Sequence, residues 1–299
     1  MNIVGHKNLY FLLSAIVIVP GIVSLILFGL KFSIDFTGGS TLNLSFENAQ
    51  NISKQSVRDI VETNRDVRVK DVIINKNNVV IKTNPIGPDI KTKIEKDLKK
   101  ENSSLTEKGF DSVGPIIGQE TAAKAIQAVL IASFFITIYI AFVFRKVSNP
   151  VSSWKFGVVA IIALIHDILV TVGIFSILGY FFNVEVDSLF ITALLTIMGF
   201  SVHDTIVVFD RIRENLTKNS GFDFYKIVNN SVMETINRSL NTSLTVVLVL
   251  FALFLFSNGS IRWFVVALLI GIVSGTYSSI FTASPLLVVW YEWDKKRKK

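Results

Sequence analysis

Five ionisable residues stand inside stretches that are otherwise apolar enough to sit in lipid: His166, Asp167, His203, Asp204 and Arg238. A charged side chain at the centre of a bilayer costs about 2.5–3.5 kcal/mol on insertion scales, so each needs a partner or a wet cavity. Counted from the ends of their stretches at ~1.5 Å rise per residue, His166 and Asp167 fall near mid-bilayer. Asp204 and Arg238 fall at similar depth, on stretches that flank one loop. An Asp204–Arg238 ion pair would relieve both desolvation costs, and protonating the aspartate would break it. Arginine keeps its proton, so Asp204 is the proton carrier of the two. A charge moved through the whole membrane potential gains about 2.3 kcal/mol per 100 mV, which suits a proton-driven machine. Asp167 joins the candidate path. His166 and His203 either relay protons or hydrogen-bond within a helix bundle. The competing reading is a static buried pair that fixes helix register, and such a pair adds little net stability.

The polar neighbours fall on helical faces. Glu234, Arg238, Thr242 and Thr245 recur three or four residues apart, as do Thr192, Thr196, Gly199 and His203. Residues at that spacing share one side of a helix. Gly271, Gly275 and Ser279 make a small-xxx-small stripe suited to close helix packing.

The elements that must position these residues are membrane spans. The chain has 299 residues, of which 51% are hydrophobic and only 18% charged, well below the quarter usual in soluble domains. Its apolar residues come in blocks near the ~20 residues that cross a bilayer. The expected spans are 9–30, 124–144, 156–182, 188–209, 238–257 and 263–290. The first block is longer than a secretory h-region and meets no small-residue cleavage site, so it is read as an uncleaved span. The connections 183–187 and 258–262 are short enough to make hairpins, and 210–237 reads as an amphipathic segment lying on the membrane surface.

Lysine and arginine gather at 1–8, 145–155, 210–237 and the tail 291–299, whereas the other short loops hold Glu185, Asp187 and Arg262. The positive-inside rule then puts both termini in the cytoplasm. The formal charge of +7 belongs to this topology and not to nucleic-acid binding. The absence of cysteine excludes disulfides, thiolate metal sites and cysteine nucleophiles.

Residues 31–123 are polar and face the opposite side. Alternation at 41–46 predicts a strand. A helix follows over 53–64, capped by Ser53, and then two strands at 67–75 and 79–83 joined by a turn at Lys76-Asn77-Asn78. Pro88 opens a second helix with Ile90, Ile94 and Leu98 on one face, and a strand near 110–113 closes the set. The order βαββαβ is that of a small α+β ferredoxin-like domain. Gly38-Gly39 lacks the G-x-x-x-x-G-K-[ST] of a phosphate loop and reads as a tight turn.

Several ordered motifs together resemble the SecD/SecF family, on its SecF side. They are Ile34-Asp35-Phe36-Thr37-Gly38-Gly39, then Val113-Gly114-Pro115-Ile116-Ile117-Gly118-Gln119-Glu120, and His166-Asp167 with Gly173. The run from Asp204 to Asn215 and Asn237-Arg238-Ser239-Leu240-Asn241-Thr242-Ser243 complete the set, which covers nearly the whole chain. Asn241 departs mildly from the family pattern.

The resemblance implies half of a twelve-span unit of the resistance-nodulation-division superfamily, with SecD as the other half. It implies residence in the bacterial inner membrane, no enzyme activity, no metal and no cofactor beyond a proton gradient. Unfolded exported polypeptides, the SecYEG channel and YajC are the further partners it suggests. Family residues in spans four and five correspond to Asp204 and Arg238, and a further essential aspartate belongs to SecD. The implied function is proton-driven promotion of late protein export. A rigid-body swing of the outer domain would pivot at the motifs holding Asp35, Gly38, Gly39, Gly114, Pro115 and Gly118. A proton-driven exporter half for small molecules or lipids is the alternative, and an assembly factor with a static ion pair is a third.

Overall fold

The computed structural model describes residues 2–46, 53–63, 66–75, 77–101, 105–145, 151–218 and 223–297. Asn64, Lys76, Lys146, Lys298 and Lys299 of the expected helix, turn, basic loop and tail lie outside them. The chain divides into a unit of residues 32–126 and a helical unit of residues 1–31 and 127–299.

The smaller unit starts with a helical turn, α2 (Ile34–Thr37). Its elements then run β1 (Gly39–Ser45), α3 (Lys54–Glu62), β2 (Val69–Asn75), β3 (Asn78–Thr83), α4 (Pro88–Glu101) and β4 (Thr106–Val113). The sheet order is β2-β3-β1-β4, with every neighbouring pair antiparallel. Alternation on β1 and β3 turns Leu42, Leu44, Val79 and Ile81 to one side, where they are buried. Val57 and Val61 of α3 and Ile94 and Leu98 of α4 cover that side. The Ser56 N–H donates to Ser53 Oγ at 3.0 Å, the cap expected for α3. The sequence periods of two and about 3.6 thus become a four-stranded sheet under two helices, a split βαβ arrangement.

The helical unit begins with α1 (Lys7–Phe28). After α5 (Pro115–Val143), which joins both units, come α6 (Ser153–Phe182), α7 (Ser188–Lys218), α8 (Phe224–Phe256) and α9 (Gly259–Ser278). A π-turn, Ser279–Ala283, leads from α9 into α10 (Ser284–Arg297). Counting α9 to α10 as one, six helices among the described residues are long and apolar enough to cross a membrane.

One feature of the helical unit departs from the sequence reading. The segment 210–237 does not lie flat, because α7 continues to Lys218 and α8 begins at Phe224. Apolar residues at helical spacing, among them Ile212, Leu216, Phe224 and Val228, bury these extensions in the core. In addition, α1 crosses α6 at a glycine pair: a methyl group added at Gly173 would sit 2.7 Å from Gly21 Cα. The π-turn has a local cause. Pro285 supplies no N–H, and its ring crowds the carbonyl four residues back, at Phe281 inside the turn.

Candidate functional site

Among the described residues, two carboxylates are buried between the helices. Asp167, on α6, is 0% exposed, and Asp204, on α7, is 7% exposed. Neither forms an ion pair with lysine or arginine among the described residues; hydroxyls hold both.

Asp167 Oδ1 accepts from Ser274 Oγ at 2.8 Å, and Oδ2 accepts from Ser201 at 2.5 Å and Ser278 at 2.7 Å. His166 Nδ1 lies 3.0 Å from Oδ1, and its Nε2 lies 3.0 Å from Ser14 Oγ. With Asp167 ionised, Nδ1 carries the proton and Nε2 accepts from Ser14, an assignment made from the hydrogen-bond network. A carboxylate has about four acceptor sites, so Asp167 is saturated. Its donors come from α6 itself, α7 and α9, and α1 joins through Ser14.

Asp204 is less fully held. Ser239 Oγ on α8 donates to Oδ1 at 2.7 Å, and Ser279 Oγ in the π-turn donates to Oδ2 at 2.8 Å. About two acceptor sites stay open on this carboxylate.

The expected Asp204–Arg238 pair does not form. Successive residues on an α-helix point about 100° apart, since 3.6 fill a turn. On α8 that rotation turns Ser239 inward, with Thr235 and Ser243 one turn either side, all buried. Arg238 is exposed and makes no ion pair or hydrogen bond among the described residues. Burying a hydroxyl costs far less than burying an unpaired guanidinium. Glu234 is occupied elsewhere, accepting from Arg211 Nε at 2.5 Å and Asn215 Nδ2 at 2.9 Å. Arg238, Glu234 and Ile206 help line a cavity of about 490 Å³ beside this network.

His203 departs from the carboxylates in the same way. It is exposed beside the buried Asp204, on one side of α7 with Thr192, Thr196 and Gly199. Thr242 and Thr245 are exposed near Arg238 on α8. The candidate residues therefore separate into an inner set of Asp167, His166 and Asp204, and an outer polar face with Arg238 and His203.

In the packing stripe, Gly271 meets the Ile197 side chain and Gly275 approaches Ser201 Cα. Ser279 belongs to the inner site, where it donates to Asp204. Sequence reasoning missed Ser14, Ser201, Ser239, Ser274 and Ser278. Their signal is serine at four-residue spacing in apolar stretches, as at Ser239 with Ser243 and Ser274 with Ser278.

Residues 93–293 match the family model described as protein export membrane protein SecD/SecF, C-terminal, and residues 23–50 match the SecD/SecF GG motif. This chain belongs to the SecD/SecF family. It is 47% identical to the protein translocase subunit SecF of Thermobaculum terrenum, over 98% of this chain and 95% of that one. It is 42% identical to the SecF of Anaerolinea thermophila, over 98% and 96%. A crystal structure of SecDF, a translocon-associated membrane protein from Thermus thermophilus, superposes with a TM-score of 0.82 at 32% identity. That match covers 97% of this chain and 38% of the SecDF chain. With six such helices and these relatives, the protein is a multi-pass membrane protein.

The family's GG motif has a definite geometry here. Ser33 caps α2, its Oγ accepting from the Asp35 N–H at 3.2 Å. Gly38 has φ +67°, a left-handed value that glycine adopts without cost. Its carbonyl accepts from Lys70 Nζ at 2.8 Å. A methyl group added at Gly38 would sit 2.8 Å from Pro115 Cα. Gly114 has open space around it. The motif before β1 and the motif opening α5 thus pack backbone against backbone, closing the domain at the point where its two ends meet.

Proposed function

We propose that this chain is an accessory subunit of the bacterial protein-export machinery. It works with a SecD partner and uses the proton motive force to promote late translocation and release of secreted chains from the SecYEG channel. Asp204 takes up and releases the proton. The observation that carries this reading is the contrast between two buried carboxylates: Asp167 has every acceptor site filled, whereas Asp204 is held by two serines alone. A carboxylate with open sites and no fixed cation can change protonation state with the least rearrangement.

Asp167 and His166 hold the inner bundle, and Arg238 and His203 act on the outer face. Hydrocarbon leaves the polar groups of that face unsatisfied, so helices of the partner subunit cover it and supply a carboxylate to Arg238. The energy source is the proton gradient, with no cofactor. Both termini face the cytoplasm of an inner-membrane protein, and the ferredoxin-like domain meets exported chains on the periplasmic side. Relatives named as translocase subunits favour this reading over a small-molecule or lipid exporter.

Proteoliposomes carrying the complete export machinery and an imposed proton gradient test it. Asp204→Asn should keep ATP-driven translocation and lose the stimulation by the gradient. Undiminished stimulation in that variant would overturn the proposal.

A further inference from the structure

Span six presents adjacent hydroxyls to carboxylates on two different helices. Ser278, the last residue of α9, donates to Asp167 Oδ2 on α6, and Ser279, the first residue of the π-turn, donates to Asp204 Oδ2 on α7. Both serines are 0% exposed, so no water competes for these bonds. Only one peptide bond separates them. A regular α-helix turns neighbouring side chains about 100° apart, and here that divergence aims each at a different helix.

The backbone at this point is already irregular. Ser284 Oγ donates to the Ser279 carbonyl at 3.0 Å, closing the five-residue step of the π-turn. Pro285 follows and removes a main-chain donor. The turn keeps main-chain bonds at the wider five-residue spacing, reinforced by the Ser284 side chain, and such an irregular step is where a helix can change register.

We propose that Ser278 and Ser279 are a pair of positioning residues that ties the state of Asp167 to the protonation of Asp204, with the π-turn as the moving part. This rests on the reading of Asp204 as the proton carrier. When Asp204 is ionised, Ser279 donates to it and the turn is fixed. A proton arriving from the aqueous phase takes an open site on Oδ2 and turns the charged acceptor of Ser279 into a weaker neutral one. The Ser279 hydroxyl then passes to its other acceptor, the Thr276 carbonyl at 3.0 Å, the turn shifts, and Ser278 is drawn away from Asp167 Oδ2. Loss of the proton reverses each step. The titratable and charged groups around this path are His166 with Asp167 on α6, His203 with Asp204 on α7, Arg238 on α8, Tyr277 on α9 and Tyr10 on α1. Of these, Arg238 and His203 point outward.

The test measures gradient-stimulated export against pH in proteoliposomes that hold the full chain with its partner subunits. Ser279→Ala and Ser278→Ala should each slow it about tenfold, the scale of one lost hydrogen bond to a charged group. Both should also displace the pH midpoint. Ser279→Thr, which keeps the hydroxyl, should restore rate and midpoint. Ser24→Ala is the packing control, since it removes a buried interhelical hydroxyl bond, to Ser176, that touches neither carboxylate; it should leave the midpoint in place.

The deciding variant is Ser278→Ala, because Ser278 has no bond to Asp204. An unmoved midpoint in S278A, or an equal displacement in S24A, overturns the proposal. If S279A does not accumulate in the membrane, S278A and S279T decide alone. Asp204→Asn run in parallel separates the two claims. Loss of stimulation in D204N with normal S278A behaviour removes only the serine pair; retained stimulation in D204N removes the proton-carrier reading itself.

Discussion

The backbones of Gly38 and Gly118 touch. A methyl group added at Gly118 would lie 2.8 Å from the Gly38 amide nitrogen and 3.1 Å from the Phe36 carbonyl oxygen. The sequence suggests a hinge at these glycines, but a swing there would first have to part this contact. Gly118→Ala should cost roughly 1–3 kcal/mol, the usual penalty for overpacking. Gly38→Ala should cost more, because its left-handed backbone adds about 1–2 kcal/mol for a residue with a Cβ. Hydrogen exchange on the full chain would show it as faster exchange in β1 and the first turns of α5, with the helical unit unchanged.

A second glycine pair should behave similarly inside the membrane. Gly21 and Gly173 let α1 approach α6 closely enough for Ser24 Oγ to reach Ser176 Oγ at 2.9 Å and Ser14 to reach His166 at 3.0 Å. Gly173→Ala pushes the helices apart and loosens both bonds. We expect a loss of roughly 1–3 kcal/mol, read as a lower melting temperature of the detergent-solubilised protein. Gly199→Ala, with nothing within 4 Å of its added methyl, should leave it unchanged.

These contacts show what sequence could and could not reveal. Blocks of about 20 apolar residues mark spans because backbone polar groups in lipid must be satisfied within the segment. The βαββαβ order was legible because Leu42, Leu44, Val79 and Ile81 alternate, whereas Ile90, Ile94 and Leu98 recur at helical spacing. Asp167 and Asp204 stood out because a carboxylate in an apolar run demands a partner. The identity of the partner was not legible. Ser239 and Arg238 are neighbours, and only the packing of α8 on α7 and α9 decides which turns inward. Complementary charge favoured the arginine on paper; the cost of burying it favoured the serine. The extension of α7 and α8 into 210–237 escaped for a related reason, since amphipathic spacing fits a membrane surface and a helix hairpin equally.

The smaller unit carries a pH dependence of its own. Lys91 Nζ donates to Glu107 Oε2 at 2.6 Å and lies 3.3 Å from Glu95 Oε1. The bond from Lys91 holds the Glu107 carboxyl below its ordinary 4.5, and the bond to Glu107 holds Lys91 above its ordinary 10.5. A depressed carboxylate stabilises the fold above its unfolded value and loses that contribution as pH falls through the folded one. A raised lysine contributes fully below 10.5 and is lost as pH rises through its higher folded value. Protection of β4 and α4 amides in the full chain should therefore be flat across neutral pH and decline below about 4.5. Glu107→Gln should flatten the acid limb, and an unchanged limb would show that other carboxylates set it.

Arg238 and Asp204 should differ in the lone subunit and agree in the assembled complex. Arg238 is exposed in this chain without a bond among the described residues, so Arg238→Gln should change the stability of the purified subunit by no more than about 0.5 kcal/mol. Asp204→Asn replaces an acceptor of two serine bonds and should cost roughly 1–3 kcal/mol in the same measurement. In the assembled export complex both variants should lose stimulation by a proton gradient. Arg238→Lys should fail as well if the partner's carboxylate is held by the planar fork of the guanidinium, since an ammonium cannot reproduce that geometry. Thermal unfolding of the lone subunit, set beside gradient-driven export by the complex, would show the split. If R238Q destabilised the lone subunit as much as D204N, the outer face would be structural within this chain and not a surface completed by its partner.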